Sequence, residues 1–241
     1  MAAAAHQGPL AGRLALVTGA SRGIGAATAQ ALATAGAHVV LTARTAKDLE
    51  GVEQAIFDAG GQATIAPVDL AEPEGVARLA LALRQRWDAL DVLVIGAAHF
   101  PQLTPTWQID AKDFNRTLTL NVLATQALLA GFDAMLRKSK DARVIGLTSS
   151  VGAHPRAYWG AYGASKAAFD ALLDAYAQEV RDVAAIKVAV VDPGATRTAM
   201  RARAYPGEDP ASVKPPEAVA EAIVNLCTED IASPARLRVN P

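Results

Sequence analysis

Thr18-Gly-Ala-Ser-Arg-Gly-Ile-Gly25 is the stretch that decides the fold, because it joins an apolar run to a helix-forming segment. The preceding run, Leu14-Ala-Leu-Val-Thr18, has the composition of a buried parallel strand. Residues 26–33 continue with good helix formers. Glycines between a strand and a helix allow a tight turn and bring the helix N-terminus close to a phosphate. The stretch therefore predicts a dinucleotide site at the first strand–helix junction.

Along the rest of the chain, apolar strand-like runs alternate with longer helical stretches. Such alternation is typical of βαβ units, whose right-handed crossovers build a parallel sheet with helices on both faces. We predict an α/β fold, a three-layer doubly wound parallel sheet, with residues 10–241 as a single domain and residues 1–9 as a disordered tail. The predicted strands are 14–18, 38–43, 63–68, 91–95, 143–148, 186–191 and 236–239, and the predicted helices are 24–35, 46–59, 73–86, 110–137, 158–181 and 216–228.

Composition excludes several classes of function. Hydrophobic residues make up 51% of the 241 residues, and the formal net charge is −1. Because no basic block or stripe occurs, nucleic acid is not expected as the main partner. The single cysteine, Cys227, rules out internal disulfides, suits a reducing compartment and lies in an apolar stretch that predicts a core position. We recognise no secretory leader and no span of about 20 apolar residues, and expect a soluble cytoplasmic protein.

The stretch Tyr162-Gly-Ala-Ser-Lys166 places a phenol and an ammonium one helical turn apart, with Ser149 thirteen positions upstream. Residues i and i+4 share a helix face, so the ammonium can assist proton transfer at the phenol, while a nearby hydroxyl holds a carbonyl or alcohol oxygen. A Tyr-x-x-x-Lys pair alone is more often a solvated helix face. Together with Ser149 and the glycine turn, it predicts a hydride-transfer enzyme.

Polar and small residues follow the predicted strands, where ligands of such sheets bind. The long stretch 201–216, rich in Pro, Gly and charge, is predicted to be irregular and to act as a mobile lid over this edge. The residues after the strands are Ser21, Arg22, Arg44, Asp69, residues 97–99, Ser149, Pro193 and Gly194.

On these motifs the chain resembles the short-chain dehydrogenase/reductase family, in its compact single-domain branch, over about residues 10–239. The resemblance implies the Rossmann fold and an oxidoreductase activity. The matching motifs are the turn from Thr18 to Gly25, Asp69 after the third strand, Asn121 in a helix, Ser149, Tyr162 and Lys166, and the Pro193-Gly194 turn followed by Thr198.

The same resemblance implies roles for Asn121, Ser149, Tyr162 and Lys166 as the catalytic residues. Tyr162 would be the general acid or base, Ser149 would bind the substrate oxygen, and Asn121 would hold a water linked to Lys166. Free tyrosine has a pKa of about 10, and the charge of Lys166, together with the cationic nicotinamide of the oxidised cofactor, is expected to lower it towards neutrality. No metal ligand is predicted, and the predicted cofactor-binding residues are Gly19, Ser21, Arg22, Gly23, Ile24, Gly25, Arg44, Asp69, Leu70, Ala97, Tyr162, Lys166, Pro193, Gly194, Thr196 and Thr198.

Two features depart from the family pattern. The usual Asn-Asn-Ala-Gly after the fourth strand is replaced by Ile95-Gly-Ala-Ala98, where close backbone approach should survive at Gly96. The chain given stops at Asn240-Pro241 without the usual Asp-Gly-Gly, which weakens the expectation of the family's C-terminal subunit contact.

The second strand ends in Thr42-Ala43-Arg44, without an acidic residue to bind a ribose 2′-hydroxyl. Arg44 and Arg22 can receive a 2′-phosphate, so NADP is predicted over NAD, although both could be solvated surface arginines. A homodimer or homotetramer is predicted through the helices near 110–137 and 158–181, because both carry apolar residues on more than one face. Those residues are Phe114, Leu118, Val122, Leu129, Phe169, Leu172, Leu173 and Tyr176.

Several alternatives stay open from the sequence. The protein could be a catalytically silent NADP-binding regulator, or an isomerase or dehydratase on the same fold, and the substrate is not identified. His99 and His154 could line the substrate pocket or simply be exposed. Trp159 and Phe100 could face substrate, pack in the core or meet a second subunit, whereas Ser150 and Tyr158 are interpreted as pocket-wall or structural residues.

Overall fold

The computed structural model describes residues 8–240. Seven strands form one fully parallel sheet in the order β3-β2-β1-β4-β5-β6-β7. This arrangement confirms the predicted doubly wound sheet. The strands are β1 (Leu14–Thr18), β2 (His38–Thr42), β3 (Gln62–Ile65), β4 (Val92–Ile95), β5 (Ala142–Leu147), β6 (Ile186–Asp192) and β7 (Ala235–Arg238).

Helices cover both faces of the sheet, and alternate residues of the central strands enter different cores. In β1, Leu16 joins a core that contains Phe132 and Phe169, whereas Val17 joins the opposite core with Leu32. The helices are α1 (Gly23–Thr34), α2 (Lys47–Asp58), α3 (Gly75–Arg84), α4 (Ala111–Leu118), α5 (Ala124–Leu136), α6 (Ser150–Ala153), α7 (Gly160–Val180), α8 (Ala199–Ala204) and α9 (Pro216–Thr228).

The strand order reverses between β1 and β4, which are direct neighbours with Thr18 paired to Ile95. The chain leaves β1 towards β2 on one side and resumes at β4 on the other. A crevice opens at the carboxyl ends of strands at such a switch point. The glycine turn and the stretch after β4 therefore meet at this edge.

Two predicted segments differ from the structure. The single helix predicted over 110–137 is divided into α4 and α5 by a π-helical turn, Thr119–Leu123. The stretch 201–216 is not irregular throughout, because α8 extends into it and a short 3-10 helix, Pro210–Ser212, follows. Arg201 and Glu208 form a bidentate ion pair at 2.7 and 2.5 Å within this stretch. This ion pair links α8 to the turn that follows it, and a lid role for the stretch stays a prediction.

The first residues described already belong to the packed body. Leu10 is fully buried, and its amide donates to the carbonyl of Ala35 at 2.9 Å. Most of the tail predicted over residues 1–9 lies outside the described residues.

The segment Ala111–Leu136 is long and apolar enough to span a membrane by length and composition, which the sequence analysis did not recognise. In the fold it crosses between β4 and β5, and Leu128, Phe132 and Leu136 are buried in the core. Burial explains part of its apolar character, because a helix packed against a sheet needs an apolar face, and 39% of the apolar window is buried.

Candidate active site

The glycine turn forms a close-packed junction between β1 and α1. Gly19 has φ +72°, and a Cβ on Gly25 would lie 2.1 Å from the carbonyl oxygen of Gly19, so both positions require glycine. The N-cap residue of α1, Arg22, makes no side-chain hydrogen bond to the helix end, and the first turn contains no acidic residue. The amides at this helix end can therefore bind an anion, as a cofactor pyrophosphate site requires.

The stretch that replaces Asn-Asn-Ala-Gly is held against this turn by Thr18. The Thr18 hydroxyl donates to the carbonyl of Val94 at 3.2 Å and accepts from the amides of Gly96 and Ala97 at 3.0 and 3.2 Å. A Cβ on Gly96 would lie 2.9 Å from the Thr18 carbonyl oxygen. The close backbone approach expected at Gly96 is thus present without either asparagine.

The residues predicted to select the cofactor lie along the same edge. Arg44 follows β2, whose Thr42 pairs with Thr18, and both Arg44 and Arg22 are exposed. Among residues 8–240, neither arginine has a carboxylate within 4.0 Å. Farther along, Asp69 accepts from the amide of Ala71 at 2.9 Å. Leu70 is buried beside it, and Ser21 is half-buried in the glycine turn.

The loop after β6 returns to the glycine turn from the opposite side. Gly194 has φ +61°, and the hydroxyl of Thr196 donates to the carbonyl of Pro193 at 2.9 Å. Thr198 caps α8 by accepting from the amide of Arg201 at 3.1 Å. Its methyl group lies 3.3 Å from the position that a Cβ on Gly23 would take. The predicted cofactor residues of both segments are therefore brought together.

Tyr162 and Ser149 line one cavity of about 290 Å³, together with Ile24 and the loop after β6. Ser149 is the N-cap of α6, at the end of β5, and Tyr162 lies in the first turn of α7. Tyr162 is 6% exposed and packs edge-on against Phe100 at 5.1 Å between ring centroids. Its hydroxyl lies 3.9 Å from the sulfur of Met200. Both hydroxyl-bearing residues therefore border the same cavity.

Burial, with a smaller contribution from the charge of Asp192, raises the pKa of Tyr162 above its ordinary value. The ammonium of Lys166 alone therefore does not lower this pKa, and the lowering expected from Lys166 together with the nicotinamide cation stays a prediction. One reason is the direction in which the lysine points. Its ammonium donates to the carbonyl of Leu147 at 2.7 Å, and it lies 5.8 Å from the centroid of the Tyr162 ring. In this arrangement the protein keeps the phenol neutral.

Lys166 is itself buried, at 3% exposure. Burial lowers its pKa to about 8, against an opposing contribution from Asp170 one turn further along α7. The ammonium also lies 4.4 Å from the centroid of the Phe169 ring. A buried amine with a pKa near neutrality gains or loses a proton easily, which suits a group that relays protons.

Asn121 sits in the π-helical turn, and its side chain is fully engaged with protein groups. Its amide oxygen accepts from the backbone amide of His99 at 2.7 Å. Its amide nitrogen donates to the His99 carbonyl and to the Ser165 hydroxyl, each at 3.0 Å. These contacts fix the stretch after β4 against α7, and the water expected at Asn121 stays a prediction.

Neither histidine of interest lines the cavity in the described part of the chain. His99 pairs through Nε2 with Asp113 at 2.6 Å, and this hydrogen bond lowers the pKa of Asp113. His154 is exposed at the end of α6. The hypothesis that either contacts substrate receives no support, and Asp113 is the partner that the sequence analysis missed.

Of the remaining candidate residues, some line the cavity and others do not. Phe100, Trp159 and Ser150 line the cavity, whereas Tyr158 is 59% exposed and has φ +71°. Cys227 is fully buried, as predicted, and burial raises the pKa of its thiol to about 12. Sequence reasoning missed further cavity residues, which are Arg156, Asp192, Met200, Arg201, Tyr205 and Arg238. Position alone could have indicated Arg156, since it lies between Ser149 and Tyr162.

Residues 13–209 match the family model for short chain dehydrogenases. The chain belongs to the short chain dehydrogenase family. This dehydrogenase is 34% identical over 207 residues to oxidoreductase YciK of Escherichia coli, an alignment that covers 85% of this chain and 81% of YciK. It is also 38% identical over 171 residues to a fatty acyl-CoA reductase of Acinetobacter baylyi, with 70% of this chain and 58% of that protein covered.

Solved structures agree with this membership. A short chain dehydrogenase from Shigella flexneri, crystallised with NADP, superposes on this dehydrogenase with a TM-score of 0.92 and 32% identity. The superposition covers 98% of this chain and 100% of that chain. The family resemblance stated from the motifs is thereby confirmed, and so is the Rossmann-type fold.

Proposed function

We propose that the protein is an NADP-dependent oxidoreductase that transfers a hydride between nicotinamide and a carbonyl or secondary alcohol. The observation that carries this proposal is the shared cavity, in which Ser149 and Tyr162 face the Pro193–Gly194 loop. When bound, the cofactor supplies the hydride, and the protein supplies orientation and proton transfer. The glycine turn fits a pyrophosphate because its two tight glycines leave the amides of α1 accessible.

NADP is proposed over NAD because Arg22 and Arg44 are exposed cations at the edge where the ribose phosphate would lie. A planar guanidinium binds phosphate oxygens with two parallel hydrogen bonds. The Shigella flexneri relative was crystallised with NADP, which supports the same choice.

This preference is tested by titrating NADPH and NADH into the wild type and Arg44→Ala. NADPH affinity should fall by about tenfold or more, since a charge-assisted hydrogen bond contributes roughly 1.5–3 kcal/mol, while NADH affinity should stay nearly constant. Arg181→Ala, which removes an exposed arginine at the far end of α7, is the control. Equal affinities for both cofactors in the wild type would contradict the preference.

In the proposed reaction, Tyr162 is the proton donor for carbonyl reduction and the acceptor for alcohol oxidation. Its buried, protonated phenol suits the donor role. Ser149 donates a hydrogen bond to the substrate oxygen from the end of β5. Lys166 keeps a cation beneath the site through its bond to Leu147, and Asn121 positions the stretch after β4.

Substituting Tyr162→Phe tests the proton donor, because the change keeps the ring and its contact with Phe100 but removes the hydroxyl. Turnover of a carbonyl substrate, found by screening aldehydes and ketones with NADPH, should fall by about 10²–10⁴-fold. NADPH binding and the unfolding midpoint should be retained. Tyr158→Phe is the matched control, since Tyr158 is exposed and outside the cavity lining.

Near wild-type turnover in Tyr162→Phe would assign the proton donor to another group. Cofactor binding without hydride exchange on any carbonyl or alcohol would instead favour a silent NADP-binding regulator. Conversion of a substrate without net change in the nicotinamide would favour an isomerase or a dehydratase. Absorbance of the nicotinamide, followed alongside product analysis, separates these outcomes.

We further propose that the protein acts in the cytoplasm on a small-molecule substrate, as a homodimer or homotetramer. A cytoplasmic location is supported by the single, deeply buried thiol of Cys227, which needs no oxidising compartment. The near-neutral net charge of −1 offers no general attraction to nucleic acid or to an anionic membrane.

A further inference from the structure

The cavity next to Tyr162 has an aromatic wall. The rings of Phe100 and Trp159 meet edge-on at 5.4 Å, and those of Trp159 and Tyr205 lie 5.9 Å apart. Met200 completes this wall beside the Tyr162 hydroxyl. Flat aromatic faces and a flexible thioether favour an apolar substrate body of about ring size.

Tyr205 is held in this wall by the ion pair of the segment after α8. The guanidinium of Arg201 stacks over the Tyr205 ring at 3.7 Å. The same guanidinium is fixed by its two hydrogen bonds to Glu208. Because Glu208 neutralises Arg201, this arginine acts as a support for the ring rather than as an anion receptor.

The other charges of the cavity wall do not cancel completely. Arg238 lies 3.8 Å from Asp192, so these two residues compensate each other. Arg156 also lines the cavity, and within residues 8–240 no carboxylate lies within 4.0 Å of its guanidinium. One positive charge therefore stays without a protein partner at the substrate site.

Arg156 lines the same cavity as the two hydroxyl-bearing residues, Ser149 and Tyr162. It lies in the segment that connects Ser149 to Tyr162, and its carbonyl accepts from the amide of Trp159 at 3.2 Å. Its side chain is exposed, so binding an anion requires no prior break of an internal ion pair. A guanidinium presents a planar fork of donors that matches carboxylate and phosphate oxygens.

We propose that the site takes carbonyl compounds with an apolar, ring-sized body and an anionic group, a carboxylate or a phosphate, bound by Arg156. The carbonyl lies at Ser149 and Tyr162, the body lies against the aromatic wall, and the anion reaches Arg156. This inference rests on the proposed oxidoreductase function and specifies its substrate class.

The first test compares 4-carboxybenzaldehyde with its methyl ester as substrates of the NADPH-loaded enzyme. The wild type should favour the acid in kcat/KM by about five- to tenfold, which is less than a buried hydrogen bond to a charged group contributes because Arg156 is exposed to solvent. In Arg156→Gln the acid-to-ester ratio should fall to about one, while Arg156→Lys should retain part of the preference. Arg181→Gln removes an exposed arginine at the other end of α7 and should leave the ratio unchanged.

Turnover of 4-formylphenyl phosphate shows whether the site prefers a phosphate or a carboxylate. A larger preference for the phosphate than for the carboxylate assigns the site to phosphate esters, and the reverse assigns it to carboxylates. Equal kcat/KM for the acid, the phosphate and the ester in the wild type overturns the inference, while measurable turnover of all three leaves the oxidoreductase function standing.

The second test does not depend on turnover. The same acid and ester are titrated calorimetrically into the protein with and without NADP. Tighter binding of the acid in the wild type, lost in Arg156→Gln, supports the anion site even where no hydride is transferred to these probes. The proposed oxidoreductase function itself fails only if no carbonyl or alcohol exchanges a hydride with the nicotinamide. Equal binding of acid and ester overturns the anion site.

Discussion

Burial determines the chemistry of the two ionisable groups on α7. Tyr162 and Lys166 lie one turn apart, yet their polar atoms face different partners, the sulfur of Met200 and the carbonyl of Leu147. Burial keeps the phenol protonated and brings the pKa of the ammonium down to about 8. At neutral pH the protein therefore presents a neutral acid beside a cation. That pair suits donation of a proton to a developing alkoxide.

The buried charge of Lys166 makes stability depend on pH. Its folded pKa of about 8 lies below the ordinary value of 10.5, so between these values the unfolded chain binds more protons than the folded one. Stability then rises with pH across that window. Relative to Lys166→Met, the wild type should gain up to about 3 kcal/mol between pH 8 and 10.5.

Urea unfolding of both proteins at several pH values from 7.5 to about 10 measures this difference. The variant cannot titrate at this position, so contributions from other groups are largely common to both proteins. A difference that stays flat over this range would show that burial does not penalise the Lys166 charge.

Spacing along one helix, taken with Ser149 and the glycine turn, predicted from the sequence that Tyr162 and Lys166 share a site, and both side chains are buried on α7. The hydrogen-bond partners could not be obtained in this way. Lys166 bonds to a carbonyl at the end of β5, and Asn121 bonds to the backbone of His99 after β4. Both contacts join segments whose proximity depends on strand order, which residue spacing does not contain.

At the scale of elements, periodicity located every strand and every long helix within a few residues. Short elements escaped because tertiary contacts determine them. The helix α8 begins where Thr198 caps it, and α6 has only four residues, Ser150–Ala153. The π-helical turn Thr119–Leu123 has no signature in a 3.6-residue pattern. It nevertheless carries Asn121, so the missed feature is part of the site.

Two glycine-to-alanine substitutions, one in the turn before α1 and one in α5, are expected to change the stability of the protein in opposite directions. A Cβ on Gly25 would lie 2.1 Å from the Gly19 carbonyl oxygen, so Gly25→Ala must move the backbone. The change should destabilise the fold by about 1–3 kcal/mol and weaken NADPH binding. In α5, a Cβ on Gly131 would meet Val76 and Ala80 at the ordinary distances of 3.4 and 3.5 Å.

Gly131→Ala should therefore stabilise the protein by about 0.5–1 kcal/mol, because alanine has less freedom to lose when the helix folds. Chemical denaturation measures both variants against the wild type, and NADPH titration separates a local effect at the glycine turn from a global one. Equal stabilities of Gly25→Ala and the wild type would show that the turn is not close-packed.

At the scale of the whole molecule, some of the apolar residues that led to the prediction of an oligomer are buried within a single chain. Leu129, Phe169, Leu173 and Tyr176 are buried against the sheet and neighbouring helices. Four alanines form an exposed stripe on α7, where Gln178 and Glu179 are exposed as well, and Leu123 is 61% exposed at the end of the π-helical turn. The alanines repeat at helical spacing, at positions 164, 167, 171 and 175. Small side chains on one face allow a second helix to approach closely.

We predict that two chains associate through this face of α7 and the neighbouring surface around Leu123. Light scattering at micromolar concentration should give a mass of at least twice the 24.9 kDa of one chain. The double variant Ala167→Arg/Ala171→Arg places two cations in the stripe and should shift the mass towards 24.9 kDa, because buried unpaired charges oppose association. Ala55→Arg, on the exposed side of α2, is the matched control and should keep the wild-type mass. A monomeric wild type contradicts association altogether. A double variant that keeps the oligomer moves the interface to another surface, because α7 with two arginines could not pack against a second copy of itself.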